Sequence, residues 1–264
     1  MKTNNYLLQI LFLTTFLLMS STSNLRAQEK YLLRFTPKQG DYYKVEIGMV
    51  MESKEVMSCG AIFDIISVNN NIEMDIKYNY FTMNDGDMNY DSRISDGSEL
   101  SDFMNKFMSP LFTNSLRYIM DDKGKILKEP DLLLLFDINE FPYSEMTPEM
   151  IDEMIGDMAM GSDMLVQYPE DALKIGESFN WDLEEDGLSY DAVYTLNSVT
   201  DTSYLFKITG DISGETEGNQ VTGTIAGEMK LFRDGFPSDV RMTLDMTVGG
   251  ENLSMIMSCD VEKH

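Results

Sequence analysis

Histidine is almost missing from this sequence, since the single one is His264, the last of 264 residues. Histidine is the usual general base beside a serine or cysteine nucleophile and the commonest ligand of catalytic zinc. Nucleophile elbows and phosphate-binding glycine loops are also missing. Pairs of carboxylates can hydrolyse glycosides without histidine, but among 45 acidic residues such pairs carry no information. We therefore expect a protein that is not an enzyme and holds neither a cofactor nor a metal.

Basic residues are scarce as well, with 20 Lys and Arg against 45 Asp and Glu and a formal net charge of −25. Lys2 and Arg26 lie in a segment that we expect to be removed, which brings the charge to −27. A surface this acidic repels nucleic acid and anionic lipid headgroups, so neither is expected as the main partner. The charge indicates either a well-solvated exterior or an attraction for cations or for a basic protein partner.

The longest apolar run lies near the start of the chain, over Tyr6–Met19. It follows a short polar stretch with Lys2 and precedes small residues and Ala27, which is the order of a secretory signal peptide cleaved after Ala27. The run is too short for a comfortable membrane span, and no cysteine follows it to carry a lipid anchor. We expect residues 28–264 to be exported to the periplasm or the cell exterior and not to span a membrane after cleavage.

Cysteine occurs twice, at Cys59 and Cys259, each in an alternating, methionine-rich context. In an oxidising compartment an even pair favours a disulfide, which would tie an early strand to the last one. The alternation also places both side chains on an apolar face, so two buried free thiols are the alternative.

Alternation with a period of two residues dominates the chain. It covers Tyr43–Met51, Ile72–Tyr80 and Val240–Val248, where apolar and polar side chains take turns. Such segments are typical of antiparallel strands with one packed and one wet face. Short turn signals join them, among them Asp122–Gly124 and Gly249–Gly250.

Helical signals occupy the middle. Apolar residues at spacings of three and four predict a helix over 98–112, capped by Ser98 or Ser101. Thr147 as cap and Pro148 at the first position predict another over 147–158. The run 130–136 fits a short helix or a buried strand equally well. The predicted fold class is α+β: a large, curved, mainly antiparallel sheet resembling a half-barrel, with these helices covering its concave face.

The chain also resembles itself at three places in the same order. Lys38–Tyr43 resembles Lys174–Phe179, Ile65–Val68 resembles Leu196–Val199, and residues 118–124 resemble 231–235. Residues 28–264 therefore form either one domain built from two strand-rich repeats, 31–165 and 169–264, or a single meander that produces such similarities by itself.

Methionine is abundant, with 22 in the chain, and Met146, Met150, Met154 and Met158 recur every four residues along the second predicted helix. They fit a core-facing stripe, a pliable lining for an apolar ligand or a thioether site for Cu(I). A Cu(I) site needs thioether sulfurs that converge on one point. A spacing of four spreads them along a line instead, which disfavours copper binding. In the second of these hypotheses Phe103 and Phe107 of the first helix would complete the lining.

Several short motifs carry a resemblance to a known family. The Lys-x-Gly-acid motifs (Lys38–Asp41 and Lys174–Glu177), the Asp-Gly-x-Pro turn at residues 234–237 and a leader ending in Ala27-Gln28 resemble an uncharacterised secreted family of Bacteroidota. In shape, the expected sheet with its inserted helices resembles the half-barrels of periplasmic lipoprotein carriers and of mycobacterial lipid-binding lipoproteins. That resemblance implies an apolar cavity between the sheet and the helices.

The expected function is therefore a non-enzymatic envelope protein that binds an apolar ligand, such as a lipid or an acyl chain, by burying apolar surface. The alternative is a structural or interaction module of the cell envelope, without a small-molecule ligand, whose acidic face docks a protein partner.

Overall fold

The computed structural model describes residues 29–85, 88–137, 139, 147, 166–185, 187–216 and 218–264. The predicted signal peptide, 1–27, lies outside them. The described strands are β1 (Tyr42–Met51), β2 (Lys54–Val68), β3 (Ile72–Asp85), β4 (Met88–Asp91), β5 (Leu116–Met120), β6 (Ile126–Lys128), β7 (Ser178–Glu185), β8 (Leu188–Val199), β9 (Ser203–Thr216), β10 (Asn219–Phe232), β11 (Pro237–Val248) and β12 (Glu251–Lys263). The helices among these residues are α1 (Glu99–Thr113) and a 3-10 helix over Leu132–Leu135. No helix in this part of the chain is long and apolar enough to cross a membrane.

All twelve strands form one antiparallel sheet. Its order is β6-β5-β3-β2-β1-β12-β11-β10-β9-β8-β7, and β4 pairs with β3 beside this path. The chain runs outward from β1 to β6 and then returns from β7 to β12, which pairs with β1 at the middle of the sheet. Strands from the two ends of the chain therefore meet at the centre, while β6 and β7 are the outermost strands of the path.

Alternation along the strands gives the sheet one apolar face, which we call the inner face. The opposite, polar face is the outer face. On β1, Tyr43, Val45 and Ile47 are buried while Lys44 and Glu46 are exposed. Residues directly opposite each other in a ladder share a face, and the buried residues of neighbouring strands are indeed paired in register. Side chains from β1 to β12 belong to one contiguous core. The apolar side chains of different strands therefore bury one another on the inner face.

Helix α1 forms where the sequence predicts it. The Ser98 hydroxyl accepts a hydrogen bond from the Ser101 N–H at 3.1 Å and so caps its first turn. Its buried face presents Met104, Phe107, Met108 and Leu111. This face packs beside β3 and β4, at one side of the sheet.

The predicted α+β class is wrong, because the described part of the chain is essentially all-β, with 61% of its residues in strands and no helical layer of described residues over the sheet. The prediction assumed that the inner face of the sheet needs a layer of helices to bury it. A sheet this large buries its apolar side chains against one another and against the loops that carry Phe35 and Phe236. Of the predicted helix 147–158 only Thr147 is described, and the 130–136 run contains the 3-10 helix.

The two Lys-x-Gly-acid turns make the same hydrogen bonds. In Lys38–Asp41 and in Lys174–Glu177 the acidic side chain accepts from the lysine N–H at 2.9 Å, and the glycine has a positive φ (87° and 91°). The glycine N–H then donates to the Ile65 carbonyl in the first turn and to the Leu196 carbonyl in the second. A β-bulge follows both of these residues. These matches support the two-repeat hypothesis, which stays a prediction.

Candidate functional site

Five methionines on five neighbouring strands form one row across the inner face. In register, Met83 of β3 lies opposite Met57 of β2, Met57 opposite Met49 of β1, Met49 opposite Met257 of β12, and Met257 opposite Met242 of β11. Directly opposed residues have Cβ atoms about 5 Å apart, so neighbouring thioether side chains are within contact distance. We call these five residues the methionine row.

Along β1 and β12 the methionine row marks the place where the inner face becomes accessible, whereas Leu244 of β11 and Ile225 of β10 stay buried beyond the row. Along β1, Tyr43, Val45 and Ile47 are 0%, 1% and 7% exposed, and Met49 is half-buried. Beyond the row the inner face continues with further half-buried apolar residues, Met51, Met246, Leu253 and Met255. Apolar side chains thus line an open end of the sheet over several strands.

Glycines on β10 make room for the methionines beside them. Gly227 lies opposite Met242, and Gly223 lies opposite Met246. A Cβ at either glycine would lie 3.0 Å from the Cγ of that methionine and still closer to the backbone of β11. The methionine side chains therefore lie directly over bare backbone, where any larger residue would displace them.

The other end of the inner face is closed by aromatic packing. The Tyr43 and Phe236 rings stack with centroids 3.9 Å apart, and Phe63 meets Phe236 edge-on at 5.6 Å. The Tyr43 hydroxyl donates to Asp234 Oδ2 at 2.7 Å, and burial together with this carboxylate raises the pKa of Tyr43. Buried, stacked and hydrogen-bonded, these side chains close this end of the inner face.

Lys263 anchors this closed end electrostatically. Its ammonium group forms ion pairs with Asp234 and with Asp41, the latter at 2.6 Å. Burial alone would lower the pKa of Lys263, but the hydrogen bonds to the two carboxylates raise it above its ordinary value. Burial acts to raise the pKa of Asp41, yet the hydrogen bonds from Lys263 and from the Lys38 N–H lower it below its ordinary value.

The predicted ligand-lining residues of α1 pack into the core of the described part of the chain. Phe107 is fully buried, stacks on Phe103 at 6.3 Å and lies 6.0 Å from Phe136. Phe103 is partly buried against the same core. Both residues hold α1 against the sheet, and the predicted methionine stripe (Met146, Met150, Met154, Met158) lies outside the described residues.

The predicted Cys59–Cys259 disulfide is absent, and both cysteines are buried free thiols. Both lie directly opposite Ile47 of β1, Cys59 from β2 and Cys259 from β12. Two strand spacings, roughly 9.5 Å, therefore separate their Cα atoms, which is farther than a disulfide can reach. Burial raises the pKa of each thiol to about 12.

A second feature is an open cleft of about 840 Å³ beside β7. One wall is formed by residues 179–182 of β7, and the other walls by the β5–β6 turn and by residues 167–170. Trp181, the single tryptophan of the sequence, lines it. Lys123 forms an ion pair with Glu170 at this cleft, and Arg34 donates to the Pro169 carbonyl at 2.9 Å. We call this feature the edge cleft.

Sequence reasoning missed the methionine row. The sequence does contain a sign of this row, because methionines occur at even spacings in the segments that form β1, β11 and β12. What the sequence did not show is that these strands are neighbours in the order β1-β12-β11, which requires the first and last strands to pair.

No protein-family model and no curated protein matches the chain. Among solved structures, a protein of Bacteroides fragilis described as exported, with a YmcC-like fold, is 8% identical with a TM-score of 0.30, over 88% of this chain and 99% of that one. A protein of Parabacteroides distasonis described as a lipoprotein is 9% identical with a TM-score of 0.32, over the same shares. Both species belong to the Bacteroidota named by the sequence resemblance.

Proposed function

We propose that this chain is an exported, non-enzymatic envelope protein that binds an apolar ligand, such as a lipid or an acyl chain, along the methionine row. The observation that carries this proposal is the placement of five half-buried methionines, on five neighbouring strands, at the place where the inner face of β1 and β12 becomes accessible. The signal-like leader over residues 1–27 supports export.

The physical basis is burial of apolar surface. A ligand that covers the row removes apolar area from water, which stabilises the complex by roughly 25 cal/mol per Å² before the cost of association is subtracted. Methionine suits this role because its flexible, polarisable side chain repacks around ligands of different shape. The acidic exterior keeps the carrier itself soluble and excludes charge as the source of affinity for a fatty acid anion.

The test is titration of the chain 28–264 with a fluorescent fatty acid. Replacing Met49 and Met257, an opposed pair in the row, by asparagine should weaken binding about tenfold, equivalent to about 1.4 kcal/mol. The matched control is Val50→Asn with Ile256→Asn, the next opposed pair on the same two strands but on the other face. Saturable binding that both double variants weaken equally, or no binding by the unmodified chain, would contradict the proposal.

A second candidate function is an interaction module without a small-molecule ligand. It is favoured by a row of acids on the outer face, where Asp182, Asp191 and Asp211 lie opposite one another on β7, β8 and β9. Like charges opposed in a sheet are destabilising unless something neutralises them. Native mass spectrometry of protein purified from its own compartment separates the two: extra mass lost on organic extraction supports the carrier, and a bare polypeptide mass supports the module.

A further inference from the structure

The strand β7 offers an unpaired edge within the described part of the chain. It is the last strand of the sheet path and pairs there with β8 alone. The edge cleft runs along residues 179–182 of β7. An edge strand presents free backbone N–H and C=O groups, which are a template for another strand.

The chain itself shows how such an edge is filled. β1 and β7 both follow a Lys-x-Gly-acid turn with the same hydrogen bonds, so Val45 of β1 corresponds to Trp181 of β7. The correspondence extends to the next strand, because Val45 lies opposite Ala61 and Trp181 lies opposite Ala192. On its other side β1 pairs with β12. β7 has the same surroundings as β1 without a described counterpart of β12.

The side chains of β7 define what an added strand must carry. Phe179 is buried on the inner face, and Trp181, two residues on, is partly buried on the same face. Asp182 is exposed on the outer face, in register with Asp191 and Asp211. A residue paired with Asp182 would extend this row of acids, so a basic side chain is favoured there and an acidic one is disfavoured.

We propose that the edge cleft binds an extended, basic peptide segment of a partner protein as an added antiparallel strand on β7. Apolar side chains of the segment face Phe179 and Trp181, and a lysine or arginine faces Asp182. A second copy of this chain is a poor occupant, because pairing β7 with β7 would add the partner's acids to Asp182 and Glu184. The proposal does not rest on the apolar-ligand function, since the methionine row lies on other strands.

The test uses the chain 28–264 and a short synthetic peptide of alternating valine and lysine. Because Trp181 is the only tryptophan, its emission reports directly on the cleft. We expect a saturable blue shift and new protection of β7 amides in hydrogen exchange. Asp182→Lys should weaken the affinity roughly fivefold. The matched control Asp245→Lys changes an exposed aspartate of the same outer face on β11, away from the edge, and should leave the affinity unchanged.

Further peptides separate strand addition from simple charge attraction. N-methylation of alternate backbone amides should abolish binding, and exchange of lysine for glutamate should weaken it strongly. Equal binding of the N-methylated peptide, equal weakening by Asp245→Lys, or no emission change at all would overturn the proposal. So would protection, without peptide, of the β7 amides that do not bond to β8, or a concentration-dependent dimer that protects them. Fatty-acid binding should be unchanged by Asp182→Lys, so failure of this proposal is distinguishable from failure of the carrier function.

Discussion

Cys59 and Cys259 lie opposite the same residue, Ile47, from the two strands that flank β1. They are therefore close in the sheet and yet one strand too far apart to be joined. Buried among apolar side chains, each behaves as a small hydrophobic residue.

The thiols should accordingly be unreactive in the folded protein. Burial raises the pKa of both to about 12, so the reactive thiolate is rare at pH 8. We expect iodoacetamide to modify neither cysteine under native conditions and both after denaturation. Peptide mapping without reductant should give no Cys59–Cys259 linked peptide, and finding that peptide would contradict the register of β1, β2 and β12.

Replacement of Phe107 by alanine should be strongly destabilising, by about 3–5 kcal/mol, because it removes a fully buried ring between α1 and the sheet. Urea unfolding measures the loss. Phe103→Ala, on the same helix but only partly buried, is the matched control and should cost clearly less. Similar losses for both would contradict the packing of α1 described above.

Gly227→Ala should destabilise the sheet by about 1–3 kcal/mol, since a Cβ there would collide with the Arg241 carbonyl oxygen on β11. The backbone of a neighbouring strand cannot move away without breaking the ladder. Gly48→Ala is the control, because its Cβ would meet only the Ser258 hydroxyl oxygen, at 3.1 Å, which a side-chain rotation relieves. Thermal unfolding of the two variants should rank them in this order.

Lys263→Gln should reduce the free energy of unfolding by about 1 kcal/mol near neutral pH, because it leaves Asp41 and Asp234 without their shared cation. The folded pKa of Lys263 is raised, so its contribution is complete below pH 10.5 and is lost as the pH rises through the folded pKa. The folded pKa of Asp41 is lowered, so its contribution is complete above pH 3.8 and is lost as the pH falls. The difference between the two proteins in urea unfolding should shrink at both extremes, and a constant difference would contradict this assignment.

Mild peroxide should oxidise the methionine row before the core. Met49 and Met257 are half-buried, whereas Met74 and Met120 are fully buried. Sulfoxide makes the row polar, so fatty-acid binding should fall with its oxidation and return after treatment with methionine sulfoxide reductase. Peptide mapping gives the order of oxidation. Equal rates at the four residues would show that the row is not accessible.

Local structure was largely predictable here. The alternating segments became β1, β3 and β11, and the helix predicted over 98–112 became α1 at Glu99–Thr113. These patterns are visible because alternation at a period of two and spacings of three and four each place apolar side chains on one face. The predicted helical cover failed, because a period of two shows that a face is buried but not what buries it.

The sequence by itself determined the alternating strands β1, β3 and β11, several turns, the first helix and the acidic, histidine-poor chemistry of the chain. Only the tertiary structure decided the order of the strands, and with it the methionine row, the separation of Cys59 from Cys259 and the position of Trp181 at an edge. The physical reason is that hydrogen-bonded ladders join residues far apart in the chain, such as Met49 and Met257. Local periodicity specifies which face of a strand is apolar, whereas the partner of that strand depends on the whole chain.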